Sequence, residues 1–576
     1  MARRGGSVHV ATTRRHYKGK VYETHLLRRS FREGGKVKNE TVGNLSHLPP
    51  ELIEFIRQAL KGETFLPAGE GFKISRSLPH GHLAAAYLMA KKLGLPELLG
   101  PRGPERDLAW ALILLRVVRP ASKLASTRLL SDTALACDLD LAGAGTDEAY
   151  AALDFLLGEQ ARIETTLAKR HLAPGSLVLY DLSSSYLEGR HCPLAAYGYS
   201  RDGRRGQLQI TYGVVSDKEG CPVAVEVFPG NTADPVAFTA CVKKVKERFG
   251  LERVVLVGDR GMITSTRIEA LRSEAGLGFI TALRAPELTA LAAGGYLQLS
   301  LFDQASLAEI THPDYPGERL VVCRNPALAA ERARKRAELL AATEAELRRL
   351  QSQVEAGRLK SPEKIGLRLG QVLERSVVGK HFHFHIGAGH FAFERKEAQI
   401  AAEAAVDGLY VVRTSVQVQE LAAPEVVEAY KGLSRVERAF PSLKTVDLEV
   451  HPVFHRLEER VRAHVFLCLL AYYLTFHLRK AFAPLFFTDE EPPVREDPVG
   501  KARRSEDAER KAARKKTSEG QPVHSFATLL AHLATLTRNT IRLPGQEVAY
   551  EQLSEPTETQ RRAFELLGSP VPLQLK

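Results

Sequence analysis

Tryptophan is nearly missing from this chain of 576 residues: there is one, beside three methionines and six cysteines. The cysteines, at 137, 192, 221, 241, 323 and 468, show no CxxC spacing, and no cysteine–histidine cluster in the sequence resembles a zinc site. Scattered single cysteines suit a reducing cytosol, where they act as small hydrophobes and not as disulfide partners. No run of about 18 uncharged apolar residues occurs, so no membrane-spanning helix is expected. The longest apolar stretch, VFLCLLAYYLTF (465–476), reads as a core helix. The first twenty residues carry charge but no apolar segment, so a secretory leader is not expected either. Together these absences predict a cytoplasmic, nucleoid-associated protein with no membrane partner.

Positive charge is what the chain has in excess. The net charge is +12 and the pI about 9.3. Residues 1–40 hold 11 Lys/Arg, among them Arg14, Arg15, Lys18 and Lys20, against 3 Glu; residues 501–516 hold 8 Lys/Arg against 3 Asp/Glu. Basic clusters of this kind are the electrostatic footprint of a polyanion, and nucleic acid is the expected partner.

The apolar rhythm divides the chain. Residues 1–70 read as a basic unit of strand, EGG turn, strand and a helix over 50–65, a candidate DNA contact. Residues 71–172 repeat apolar residues every three to four positions, predicting a helical region for DNA binding or dimerisation, with Trp110 in its core. From 173 to 285 three strands follow in sequence and then alternate with helices, predicting a mixed α/β sheet. Residues 286–406 interrupt it with a long charged helix and strand-like pieces. In HFHFHIGAGH the alternating His381, His383 and His385 invite a metal reading, but no acid or cysteine stands nearby in the sequence, and an exposed polar face is the better expectation. The α/β pattern resumes over 407–484. Residues 485–524 read as a basic, disordered linker, and 525–576 as a short C-terminal segment.

Two apolar strands end on acids: SLVLYD on Asp181 and RVVLVGD on Asp259. In open α/β sheets functional groups gather beyond the carboxyl ends of strands. In the helix 423–440, Val426, Tyr430, Leu433, Glu437 and Phe440 fall on one face, which places a third acid, Glu437, on the stripe expected to meet the core. Three converging carboxylates stay ionised together only around a cation. Hard oxygen ligands select Mg²⁺ or Mn²⁺, and two such ions about 4 Å apart serve the in-line displacement of a phosphodiester.

Here the motifs resemble a family. LYDLSSSYLEG (179–189), VGDRGMIT (257–264) and Tyr430-x2-Leu433-x3-Glu437-x6-Lys444 resemble the three acidic motifs of DDE transposases from insertion sequences. The third is similar to the Tyr-x2-Arg-x3-Glu-x6-Lys signature of the IS-four superfamily. GYSRDGRRGQLQITYG and VFPGNTAD resemble stretches between that group's first two acids. The resemblance implies an RNase H-like mixed-sheet catalytic core with a large insertion domain, joined to the helical N-terminal region and the small β unit. It implies that Asp181, Asp259 and Glu437 hold two Mg²⁺ or Mn²⁺ ions and are catalytic. It further implies that Tyr430, Lys444 and Arg260 contact DNA phosphates. The implied activity is cleavage at terminal inverted repeats and joining of the freed 3′-OH to target DNA, by a homodimer in a synaptic complex. Leu433 stands where the signature has Arg, and Pro441 interrupts the run to Lys444. The alternatives are a metal-dependent nuclease without strand transfer and an inactive RNase H-like DNA-binding protein.

Overall fold

The computed structural model describes residues 6–63, 72–189, 191–201, 203–204, 206–272, 276–302, 305–450, 453–494, 497–542 and 548–576. The chain forms two compact units, one of residues 1–77 and 539–552, the other of 78–538 and 553–576.

In the first unit, β1 (Ser7–Tyr17), β2 (Lys20–Glu33) and β3 (Lys36–Asn44) make an antiparallel meander. Both connections are two-residue loops, Lys18-Gly19 (φ 49° and 72°) and Gly34-Gly35 (φ 56° and 80°). Two consecutive positive φ values match the right-handed twist of the flanking strands, which is why glycine recurs there. β2, β3 and the helix Pro50–Leu60 agree with the sequence expectation; β1, rich in Thr and Arg, carried no strand signal. β4 (Lys73–Pro79) joins a separate sheet with two strands from near the C-terminus, Thr537–Arg542 and Ala549–Leu553.

The second unit is built on β5 (Leu177–Tyr186), β6 (Gln209–Ser216), β7 (Pro222–Pro229), β8 (Val254–Val257), β9 (Leu277–Ala282), β10 (Leu307–Ile310) and β11 (Arg319–Arg324), with a further strand, Leu409–Thr414, after the insertion. β5, β6 and β7 form an antiparallel meander; β8 pairs parallel to β5, and β9 parallel to β8. The order β7-β6-β5-β8-β9 is the RNase H-like arrangement: a three-stranded meander whose first strand is then flanked by two parallel strands. Leu409–Thr414, β11 and β10 extend this sheet antiparallel beyond β9.

That extension changes the expected insertion. Leu307–Ile310 and Arg319–Arg324 are strands of the sheet, because VVC in β11 is wholly buried between neighbours. The body with its own core begins at the helix Pro326–Glu355, whose Leu340, Leu347, Leu350 and Val354 pack on Ile365, Leu369, Phe382 and Phe391. Leu339, beside that stripe, is exposed. In the same body, His383, His385 and His390 are exposed as expected, whereas His381 is buried with Nε2 3.0 Å from a Glu403 carboxylate oxygen.

The helical region is not separate from the sheet. Leu108, Trp110, Leu153 and Leu156 belong to the same core as β5 and the helix Glu458–Ala481. The helix Thr146–His171 starts where a Glu148 carboxylate oxygen accepts from the Gly145 N–H at 2.9 Å, and ends on Lys169, Arg170 and His171, as the helix dipole favours. Glu458–Ala481 is long and apolar enough to cross a membrane, but 83% of its most apolar window is buried inside the protein. It is a core helix.

The expected linker is partly ordered by polar contacts. Asp489 accepts from the Ser505 N–H and hydroxyl at 2.7 Å each, Ser505 caps the helix Glu506–Arg514, and the buried Lys511 ammonium meets Glu490 at 2.6 Å. Hydrogen bonds hold a segment whose low apolar content had signalled disorder.

Candidate active site

β5 does not end on Asp181; it runs on to Tyr186. What ends is its neighbour. β8 pairs with β5 only through Leu177↔Val255, Val178↔Leu256 and Leu179↔Val257, then stops, while β6 stays paired as far as Tyr186↔Gln209. Asp181 therefore stands where the sheet opens on one side. Asp259 leaves β8 at the matching position, two residues past the same in-register pair. Neighbouring strands lie about 4.8 Å apart, so the two carboxylates emerge side by side.

The run after Asp181 is buried, not open. Ser184 Oγ accepts from the Arg201 N–H at 2.9 Å, and the Ser185 and Tyr212 hydroxyls bond at 3.1 Å. Ser184 ties the sheet to the loop 198–201, and Ser185 ties β5 to β6.

The third acid comes from the helix Ala423–Pro441, which lies across β5. Gly432 is the close approach: a Cβ there would sit 3.6 Å from Leu179 Cδ1. The buried face is Val426, Val427, Ala429, Gly432, Leu433, Val436, Ala439 and Phe440. Glu437 lies just outside that face and is exposed, which corrects the expectation that it points into the core. The stripe is turned by one residue because Gly432 and Val436, not Tyr430 and Glu437, meet the sheet. Glu437 and Asp259 line one cavity of about 770 Å³, with Tyr430, Arg435, Arg438 and Arg503.

Electrostatics ties the three acids together. Burial pushes the Asp181 carboxyl up to about 7; Glu437 and Asp259 push the same way, against the Leu182 N–H, which donates to it at 2.8 Å, and Arg201. Such a hard-oxygen set, with its charges crowding one another, fits a divalent cation.

Two residues without an acidic-motif signal complete the site. Arg201 pairs with Asp234. A Cβ on Gly261 would stand 3.7 Å from Asp234 Oδ2 and 3.8 Å from Asp259 Oδ2, so a fourth carboxylate borders the cluster. Both belong to GYSRDG and NTAD, stretches whose likeness to the family was visible without a role for them.

The expected phosphate contacts divide. Tyr430 is half-buried, and its hydroxyl is pushed above its ordinary range by burial and by the nearby Asp259 carboxylate. Arg260 is exposed beside a second cavity of about 770 Å³ that Arg332, Lys335 and Lys380 also line. Lys444 is buried at 8% exposure. The helix persists through Pro441 and widens into a π turn over Ser442–Val446, which carries the buried Lys444. In the N-terminal unit Arg14, Arg15, Lys18 and Lys20 are all exposed on the β1–β2 hairpin, Arg14 being paired with Glu23 at 2.5 Å.

The family model for the Transposase DDE domain matches residues 189–474, which take in Asp259 and Glu437 and begin just after Asp181. The model for the IS1634 family transposase N-terminal domain matches residues 10–68, the basic meander and its helix. None of the curated proteins matches the sequence. Among solved structures, the chain is similar to a piggyBac transposase seen by cryo-EM in a synaptic complex with hairpin DNA, at 9% identity over 79% of this chain and 80% of that one, with a TM-score of 0.34. Both family matches name transposases, and together they reach from the basic hairpin to the sheet that carries the acids: the chain belongs to the DDE transposases of insertion sequences, DNA-binding enzymes that use divalent metal ions to cleave and join DNA.

Proposed function

We propose that Asp181, Asp259 and Glu437 are the catalytic acids, and that the enzyme cuts at terminal inverted repeats and joins the freed 3′-OH to target DNA. The observation that carries this reading is geometric: Asp181 and Asp259 stand at matching positions of two paired parallel strands, and Asp259 shares one cavity with Glu437. They would hold Mg²⁺ or Mn²⁺, as a pair of ions; when bound, these supply charge compensation to the attacking and leaving oxygens of a phosphodiester. Tyr430 lines the same cavity beside Asp259 and would meet the substrate there. Arg201 holds Asp234 beside the cluster and tempers the negative field on Asp181. Arg260, Arg332 and Lys335 give the neighbouring cavity the charge to track a DNA backbone. Arg14, Arg15, Lys18 and Lys20 present a second phosphate-binding surface on the N-terminal unit. Synapsis of two ends calls for a homodimer on DNA.

Strand transfer separates this reading from a plain nuclease. A pre-cleaved inverted-repeat end, incubated with the protein, Mg²⁺ and plasmid, should become joined to the plasmid; cleavage without any joined product would assign a nuclease instead.

A further inference from the structure

At the amino end of β5 lies a second group of ligands, with a different chemistry. His171 ends the helix Thr146–His171, Cys221 immediately precedes β7, and His477 sits on Glu458–Ala481. Cys221 Sγ is 3.6 Å from His477 Nε2 and 4.0 Å from His171 Nε2, and one donor atom from each residue lies within 4.8 Å of the others. A tetrahedral zinc, with Zn–S near 2.3 Å and Zn–N near 2.05 Å, places sulfur and nitrogen ligands about 3.6 Å apart. The Cys221–His477 separation already has that value, and the other separations, within 4.8 Å, exceed what one ion requires by little more than about 1 Å.

The surroundings orient them. Asp217 Oδ2 is 3.7 Å from His171 Nδ1, the carboxylate–imidazole relation that directs the other ring nitrogen at a metal. Asp217 Oδ1 also accepts from the Glu219 and Cys221 N–H groups at 2.8 and 2.9 Å, which fixes the turn that aims the thiol. Gly220 makes that turn with φ 88°. The Tyr473 hydroxyl, 3.0 Å from His171 Nε2, is the group an ion would displace. A cavity of about 500 Å³ opens over the group, with the Glu219–Lys480 pair on its lining, and leaves room for water as a fourth ligand.

We propose that His171, Cys221 and His477 bind a zinc-class transition-metal ion, clasping the helical region, the sheet and the core helix at one point. Two imidazoles and a thiolate select a borderline-soft ion; the all-oxygen set at Asp181 selects a hard one. Leu177 lines the new cavity, and Asp181 lies four residues further along β5, roughly 13 Å away. The two sites are distinct, and this one does not depend on the reading of the acids. Its ligands were invisible to sequence spacing because they come from three distant segments.

Cobalt(II) is the probe. The full-length chain, stripped with chelator and titrated with Co²⁺, should bind one equivalent with a thiolate-to-cobalt charge-transfer band that excess Mg²⁺ does not remove. The band should survive Asp181→Asn with Asp259→Asn, disappear in Cys221→Ser, and need at least tenfold more Co²⁺ in His477→Gln. Absence of the band in the wild type would overturn the proposal, as would a band unchanged in Cys221→Ser. If Cys221→Ser does not fold, His477→Gln decides: an unaltered cobalt affinity there would overturn it.

Discussion

Asp181 and Asp259 stand at matching positions of two parallel strands, each two residues beyond the in-register pair Leu179 and Val257. The carboxylates are brought together by backbone register, so single side-chain changes nearby should not separate them. Glu437 is different: it reaches the site on a helix whose height above the sheet is set by Gly432 against Leu179.

Gly432 tests that height. A methyl there makes ordinary contact at 3.6 to 3.8 Å, and alanine is the better helix former. Gly432→Ala should raise stability by about 0.5–1 kcal/mol and retain DNA cleavage. Gly432→Leu should lift the helix, move Glu437 and sharply lower cleavage while the protein stays folded. Denaturant midpoints and Mg²⁺-dependent cleavage, measured side by side, check both.

The basic hairpin predicts a salt effect. Arg15, Lys18 and Lys20 are exposed with no carboxylate contact among the described residues, whereas Arg14 already faces Glu23. Replacing those three by alanine should weaken DNA binding and flatten the dependence of log affinity on log salt by about 0.9 per lost phosphate contact. Arg14→Ala alone should change the slope least.

Glu164 predicts a structural loss. It is fully buried, and its carboxylate meets Lys244 at 3.1 Å, Arg248 at 3.0 Å, Gln160 at 2.8 Å and the Val225 N–H at 3.0 Å. Glu164→Ala would leave the buried Lys244 ammonium with only Glu226 at 2.7 Å and the Val225 carbonyl at 2.9 Å, would unpair the Val225 N–H, and should cost about 3–5 kcal/mol. Urea unfolding measures it.

Lys123 predicts how stability follows pH. Burial, and then Arg116, pushes its ammonium down to about 7 from 10.5. Between those values the unfolded chain binds a proton that the folded chain does not, so stability should climb as pH rises from about 7 towards 10.5. Lys123→Met should be more stable than wild type at about pH 6.5. The difference should close by about pH 10, where the neutral lysine still serves His464 Nδ1 at 3.2 Å. Urea midpoints across that range read the sign.

Much of this site was legible in the sequence because local signals coincided with it. LVLY and VVLV are short apolar runs ended by acids, and the family's motif order supplied Glu437. What was not legible depended on neighbours. The extent of β5 past Asp181 follows from pairing with β6, which no periodicity of β5 itself encodes. Glu437 was placed on the wrong side of its helix because Tyr430 looks apolar, yet its hydroxyl belongs to the cleft. The burial of Lys444 was not legible because the π turn after Pro441 has no sequence signature. The segment 485–524 was read as disordered because ion pairs such as Lys511 with Glu490, and only a few buried apolar residues such as Val499, hold it.

The most direct test of the central claim is Mg²⁺-dependent cleavage of DNA carrying the element's own terminal inverted repeats, by wild type and by Asp181→Asn, Asp259→Asn and Glu437→Gln. Each variant should bind the repeat about as well as wild type, and none should cleave it with Mg²⁺ or Mn²⁺. A folded Asp181→Asn protein that cleaves at the wild-type rate would contradict the assignment of the three carboxylates as one metal-dependent active site.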